Sequence, residues 1–255
     1  ERVAFEALRR DGREVAVHAD LQDESQTAYV PMIHTTLLSE QGTHYTKAGK
    51  TSLKDKVEYK ALRTGIPYTL VGSLVDKSNG EAITSKDDNP LKSLVTFIPE
   101  SPYGSVDVSF ELDTTDLVGR SLVAFEILYE GESETGREVA IHNDLESEDQ
   151  TINIPSIKTT ATNAANNGKT FDETEHVRIK DVVHYKGLVP GESYVMEGML
   201  YDKDSGNPLC SKANKPITSS VTFKPTQSSG DVEVIFEFDG NIVTGSGVVA
   251  FETCL

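Results

Sequence analysis

The sequence predicts an all-β protein built from tandem antiparallel β-sandwich domains. Three observations predict it. Short runs rich in Val, Thr, Phe and Tyr alternate apolar with polar residues, between turns such as Ser78-Asn79-Gly80 and Pro190-Gly191. No stretch holds a convincing helical period. The whole pattern also occurs more than once, at the size of a domain.

The repeat can be followed along the chain. KDKVEYKAL at 54–62 matches KDVVHYKGL at 180–188, and YTLVGSLVDKSNG at 68–80 matches YVMEGMLYDKDSG at 194–206. SLVTFIPESPYGSVDVSFEL at 93–112 matches SSVTFKPTQSSGDVEVIFEF at 219–238, and LVAFE at 122–126 matches VVAFE at 248–252. A further VAFE stands at 3–6. Pro31 and Pro155 fall at equivalent places and mark the joints. Residues 1–30 therefore read as the C-terminal strands of a preceding repeat, 31–154 as one complete repeat, and 155–255 as a second repeat without its last His and Gln strand. The phase is that of a window on a longer array. Strands and turns so spaced give each repeat an immunoglobulin-like sandwich, although the Cys…Trp…Cys marks of true immunoglobulin domains are missing.

Composition narrows the function classes. Lys and Arg number 24 against 41 Asp and Glu, a formal net charge of −17. That acidity opposes nucleic acid or anionic membrane as a partner. No apolar run is long enough to span a bilayer, and no signal peptide is visible at Glu1, so any export signal is expected outside these residues. Two cysteines, Cys210 and Cys254, do not make a disulfide scaffold. The Asp-rich turns at 20–24 and 144–149 lack a regular calcium-loop pattern, so solvated turns are expected, with no metal and no cofactor.

One stretch is written twice. Residues 13–27 read REVAVHADLQDESQT and residues 137–151 read REVAIHNDLESEDQT. In both, a strand runs up to the His, an acidic turn follows, and a Gln eight places after the His opens the next strand. A lone Gln there is a surface amide; two copies with the same His and the same Gln-Thr ending argue for more. Polar residues also fall on apolar faces. After Pro31, Ile33, Thr35 and Leu37 share one face, matched by Ile157, Thr159 and Ala161. Glu126 and His142 each have a small residue, Ala124 and Ala140, beside them on their own face. This fits a covered polar pair, and a solvent-facing edge reads the same way. Asp55 reads as a residue that opens a strand.

Together, VAFE, Lys-Asp-x-Val-x-Tyr-Lys-x-Leu, the Ile-x-Thr-Thr start and the His…Asp-Gln-Thr end resemble the VaFE repeats of Gram-positive surface proteins, also called Thr–Gln ester-bond domains. The resemblance covers nearly the whole chain, with the motifs in the family's order. It implies an autocatalytic ester between a Thr of the first strand and a Gln of the last, with loss of ammonia. Carried over, it joins Thr35 to Gln150, assisted by Asp55, Glu126 and His142. In the second repeat the matching residues are Thr159, Asp181 and Glu252; in the leading segment they are Glu6, His18 and Gln26. The leading segment departs in its Glu-Ser-Gln-Thr ending, yet keeps the Gln.

The residues have a plain chemical reading. His142 takes the Thr hydroxyl proton and hands a proton to the departing amine. Asp55 and Glu126 share a proton, and the protonated member hydrogen-bonds the Gln carbonyl as charge develops there. This is one turnover per molecule, not an enzyme in the ordinary sense. The expected role is a structural stalk or fibre of a secreted cell-wall protein; the alternative is an adhesin domain that binds a host ligand, for which no aromatic cluster or metal motif is visible. The partners expected are neighbouring repeats or copies, head to tail, with Gln26 near Thr159 of the neighbour.

Overall fold

The fold is described from a computed structural model of the chain, for residues 2–85, 88–172, 176–243 and 245–255. The chain divides into two compact units, one of residues 1–116 and 121–152, the other of 117–120 and 153–255.

The first unit begins with two small ribbons. Strands β1 (Arg2–Val3) and β4 (Thr27–Ala28) pair, as do β2 (Glu6–Arg10) and β3 (Arg13–His18). Gly12, with φ +78°, makes the tight turn between β2 and β3. Every residue of β2 and β3 is exposed.

Two antiparallel sheets follow in the same unit. One has the order β5-β6-β9, from β5 (Met32–Ser39), β6 (Lys50–Lys60) and β9 (Tyr103–Asp113). The other has the order β11-β10-β7-β8, from β7 (Tyr68–Asp76), β8 (Lys92–Phe97), β10 (Arg120–Glu130) and β11 (Arg137–His142). Strand β12 (Thr151–Ile154) also pairs with β10. Each strand buries one face, as its alternation requires: Leu53, Asp55, Val57 and Tyr59 point inward from β6, and Leu122, Ala124, Glu126 and Leu128 from β10. The sheets meet face to face, with the Tyr59 ring 5.3 Å from that of Phe97.

The second unit repeats the plan. One sheet is β13-β14-β17, from β13 (Ser156–Asn163), β14 (His176–Lys186) and β17 (Ser229–Asp239). The other is β16-β15-β18, from β15 (Tyr194–Asp202), β16 (Thr218–Phe223) and β18 (Val248–Cys254). Val183, Met196, Leu200, Val234 and Phe236 form its core. Tyr185 stands 5.4 Å from Phe223, as Tyr59 does from Phe97. The all-β sandwich reading is thus borne out. Among the described residues the only helical turns are three short 3₁₀ turns. Cys210 and Cys254 are unpaired.

One expectation is corrected. Asp55 does not open a strand. It is the sixth residue of β6, flanked inward by Leu53 and Val57, and Asp181 holds the same place in β14. The strand starts earlier because Lys50–Ser52 pair with β9, and the polarity of these residues hides that pairing.

A glycine stands mid-strand at the same place in both sandwiches. A Cβ on Gly72 would lie 2.5 Å from Glu126 Oε1 and 2.7 Å from Phe110; one on Gly198 would lie 2.5 Å from Phe236. These are close approaches of backbone to packed side chains. Gly198→Ala is therefore expected to destabilise the second unit by about 1–3 kcal/mol, the usual range for overpacking. The denaturant midpoint of that unit checks it; an unchanged midpoint would mean that Phe236 turns aside freely.

Candidate functional site

The first sandwich holds an ionisable cluster at its centre. Asp55 on β6 stands opposite Leu37 of β5 and Val108 of β9. Glu126 on β10 stands opposite Gly72 of β7 and His142 of β11. The two carboxyls thus come from facing sheets, and both are fully buried. They meet across the core and act on each other's ionisation. Gly72 leaves the room that Glu126 occupies.

No donor reaches any of the four carboxyl oxygens in hydrogen-bond geometry. Two bare carboxylates in so dry a place would repel with nothing to compensate. A single proton held between them removes the repulsion and gives the pair a hydrogen bond. Burial raises Asp55 to about 6, while the Glu126 carboxyl, the Thr35 hydroxyl and the Thr36 amide act to lower it. Burial and the Asp55 charge raise Glu126 well above the ordinary range. The pair therefore holds on to a proton above the ordinary carboxyl range.

Thr35, fully buried on β5, supplies the hydroxyl. Its Oγ1 lies 3.2 Å from His142 Nδ1. Burial holds the imidazole below the usual histidine pKa, and His34 adds to this against the pull of Asp144 and Asp149. A neutral ring protonated on Nε2 leaves Nδ1 free to accept the Thr35 proton. His34 also stacks on His142, centroids 5.7 Å apart.

Gln150 is also fully buried, at the end of the acidic turn. Its backbone is held from both sides: Leu37 N donates to Asp149 O at 2.8 Å, and Ala124 N donates to Gln150 O at 3.0 Å. The next residue is clamped as well. His44 Nδ1 donates to Thr151 O at 3.0 Å, and Lys77 Nζ to Thr151 Oγ1 at 3.3 Å. Yet neither side-chain atom of Gln150 has a partner. A buried amide left unpaired costs about 1–3 kcal/mol for each orphaned group.

The other copies are partial. In the second unit Asp181 is buried, and Glu252 stands beside it and beside Thr159. Burial and the Asp181 carboxyl push Glu252 up to about 8. Thr159 itself is exposed. In the leading segment, Glu6 pairs with His18 across β2 and β3, as Glu126 does with His142. Gln26 Nε2 donates to His18 Nδ1 at 2.9 Å, and His18 Nε2 lies 2.8 Å from Asp23 Oδ2. Glu6 is exposed.

The chain matches the family model described as the T-Q ester bond containing domain, over residues 1–30, 31–154 and 155–254. It belongs to that family. No curated protein matches it. Among solved structures, it is similar to a Mobiluncus mulieris adhesin described as containing intramolecular disulfide, isopeptide and ester bond cross-links. That match has 15% identity and a TM-score of 0.42, covering 87% of this chain and 80% of that one. The C-terminal domain of the Streptococcus agalactiae AgI/II polypeptide BspA matches at 11% identity and a TM-score of 0.28, covering 88% and 90%. A 1.5-MDa bacterial ice-binding adhesin matches at 10% and 0.26, covering 87% and 62%.

Sequence reasoning missed three members of this T-Q ester domain's site. Gly72 was legible, since a Gly interrupts an apolar strand in both repeats. His34 was not, because Lys158 replaces it in the second repeat. His44 lies in a loop without a counterpart signal. The Asp-rich turns are explained locally: Asp20 caps Gln22 N, Asp23 caps Ser25 N and Asp144 caps Glu146 N.

The raised carboxyl pair makes a pH prediction. Unfolded carboxyls titrate near about 4, whereas the native pair releases its protons from about 6 upward. Between these values the native state binds more protons, so stability falls as pH rises. In a Gln150→Ala background, which cannot form an ester, urea midpoints of the first unit should decline from about pH 4 to about pH 8. Adding Glu126→Gln should flatten the upper part of that decline.

Proposed function

We propose that the first sandwich closes an ester between Thr35 Oγ1 and Gln150 Cδ, and that the cross-linked sandwiches serve as a stalk of a Gram-positive cell-surface adhesin. The observation that carries this reading is a buried Thr hydroxyl on a neutral His, beside a proton-sharing carboxyl pair and a buried, unpartnered Gln amide.

The reaction uses His142 twice, first as base and then as acid. His142 takes the Thr35 proton as Oγ1 attacks Cδ. The protonated member of the Asp55–Glu126 pair donates to the developing oxyanion. His142 returns the proton to Nε2, the C–N bond breaks, and ammonia leaves. The site is assembled by folding, so positioning replaces encounter. The ester also removes the orphaned amide donors of Gln150. It is a single-turnover reaction of the chain on itself.

The bond suits a load-bearing role. Thr35 and Gln150 close a loop of about 115 residues, and a cross-link over such a loop stabilises by about 4–5 kcal/mol in the chain-entropy account. It also ties β5 to the segment hydrogen-bonded beside it, so tension on the two ends cannot shear them apart. With both cysteines unpaired, no disulfide serves this purpose.

Intact mass of the folded protein is expected to fall below the sequence mass by one ammonia for this bond. Thr35→Ala should restore the full mass at this site and Thr36→Ala should not; a folded wild-type chain of full mass would sink the reading.

The assisting groups make a separate prediction. Glu126→Ala or Asp55→Ala should leave little or no ester, and His142→Ala should slow its formation by about 10²–10⁴-fold, the usual loss for a general base. Normal cross-linking in all three would reduce these residues to packing.

A further inference from the structure

The Gln150 side chain has nothing of its own to aim it. It is fully buried, and neither of its amide atoms has a partner. Its Cδ therefore takes its place from the backbone that carries it. On one side that backbone is held at Asp149 O by the Leu37 amide and at Gln150 O by the Ala124 amide. On the other side the hold is a side-chain device centred on Thr151, the first residue of β12 and itself buried.

The Thr151 hydroxyl bonds in both directions. It donates to Ser147 O at 2.6 Å, which closes the acidic turn four residues back, and it accepts from Lys77 Nζ at 3.3 Å. Thr27 closes the matching turn of the leading segment in the same way, donating to Asp23 O at 2.8 Å. The closure thus belongs to the turn, and the lysine ties the closed turn to a sheet. Lys77 directly follows β7, and its own amide donates to Ser121 O of β10 at 2.9 Å. The Thr151 carbonyl is held from the other sheet: His44 Nδ1, in the loop after β5, donates to it at 3.0 Å.

We propose that Thr151, gripped by Lys77 and His44, is the positioning residue of the Gln150 electrophile: it fixes the turn so that Gln150 Cδ lies at Thr35 Oγ1, and so sets the rate of the ester. The inference rests on the Thr35–Gln150 reading and adds to it residues that touch no reacting atom. No proton or bond passes through them. A misplacement of about 1 Å at a reacting centre costs on the order of 10²-fold in rate, and loss of a pinning bond beside Gln150 allows such a shift. The Thr151 hydroxyl acts through its hydrogen bonds and not its bulk, so Val, of the same shape, does not replace it.

The test follows the full chain from cell-free synthesis, with intact mass recorded against time and Thr35→Ala marking the ammonia lost at this site. Thr151→Val and Lys77→Met are each expected to slow that loss by about 10–10²-fold. Thr151→Ser, which keeps the hydroxyl, should restore the wild-type rate. The loss should be the same factor at every pH, because His142 and the carboxyl pair are untouched. Urea midpoints of the same variants in a Gln150→Ala background, which cannot react, establish that each is folded where its rate is read; if Thr151→Val is not, Lys77→Met decides. A wild-type rate in the folded variant overturns the proposal and leaves the Thr35–Gln150 bond standing. So does a slow Thr151→Ser, or a pH profile of altered shape, which moves the effect to His142 or the carboxyls. A folded wild-type chain that keeps its full mass overturns both readings.

Discussion

Two acidic side chains placed face to face in a dry core are the constraint on which the first sandwich depends. Asp55 and Glu126 are fully buried, and their oxygens make no hydrogen bond of good geometry. Such a pair survives burial only by keeping a proton, and the surroundings are fitted to that. Gly72 has no side chain, which leaves room for Glu126 to lie against the strand. Ala124 on the same face is small enough for the Gln150 segment to pair with β10 behind it. The neutral His142 adds no charge to the cluster. In the second unit the space at Gly198 is met by Phe236 and Val234 instead, and Glu252 is only partly covered.

A β-sandwich is a suitable frame for such chemistry because its strands bring distant residues together with fixed faces. Thr35 and His142 are 107 positions apart, yet share a hydrogen bond. The acidic turn is pinned by an amide from each sheet, so Gln150 cannot drift in register without breaking both bonds. The cost of this arrangement is a native state with orphaned polar groups. In the proposed ester, that cost is largest before the bond forms and smaller after it, because the departing nitrogen takes its unpaired donors with it.

The alternation of each strand was legible, and with it the inward place of Thr35 beside Leu37, whereas for Glu126 beside Ala124 the pattern fitted a covered pair and a solvent-facing edge alike. The carboxyl of β6 was legible as a residue but not as a core position. Leu53, Val57 and Tyr59 surround Asp55 with the right period, yet Lys and Ser at the start of the strand masked its true beginning. Which strands meet was not legible in the residues themselves; only the family resemblance brought Thr35 to Gln150. The contact of β5 with residue 149, and of His34 with His142, depends on pairings more than a hundred residues apart, and no local pattern encodes them. The repeat supplied what single strands could not, since it showed that Thr, Asp, Glu, His and Gln keep company in a fixed order.

The two copies of the His–Gln stretch hold the imidazole in different company. In the first sandwich His142 Nδ1 rests on the hydroxyl that loses its proton in the proposed reaction. In the leading segment His18 Nδ1 rests on the Gln26 amide nitrogen. The same ring atom thus reaches both the nucleophile and the leaving group from the same place on its strand. A proton relay through one nitrogen needs only that: a base lone pair within reach of Oγ1 first and of Nε2 second. Asp23 on the far nitrogen of His18 favours a proton at Nε2 and so leaves Nδ1 as the acceptor. The ring at His142 has no such carboxylate in contact, and its burial supplies the neutrality instead. In each copy Nδ1 therefore faces a group of the kind the proposed reaction uses, the Thr35 hydroxyl at His142 and the Gln26 amide at His18.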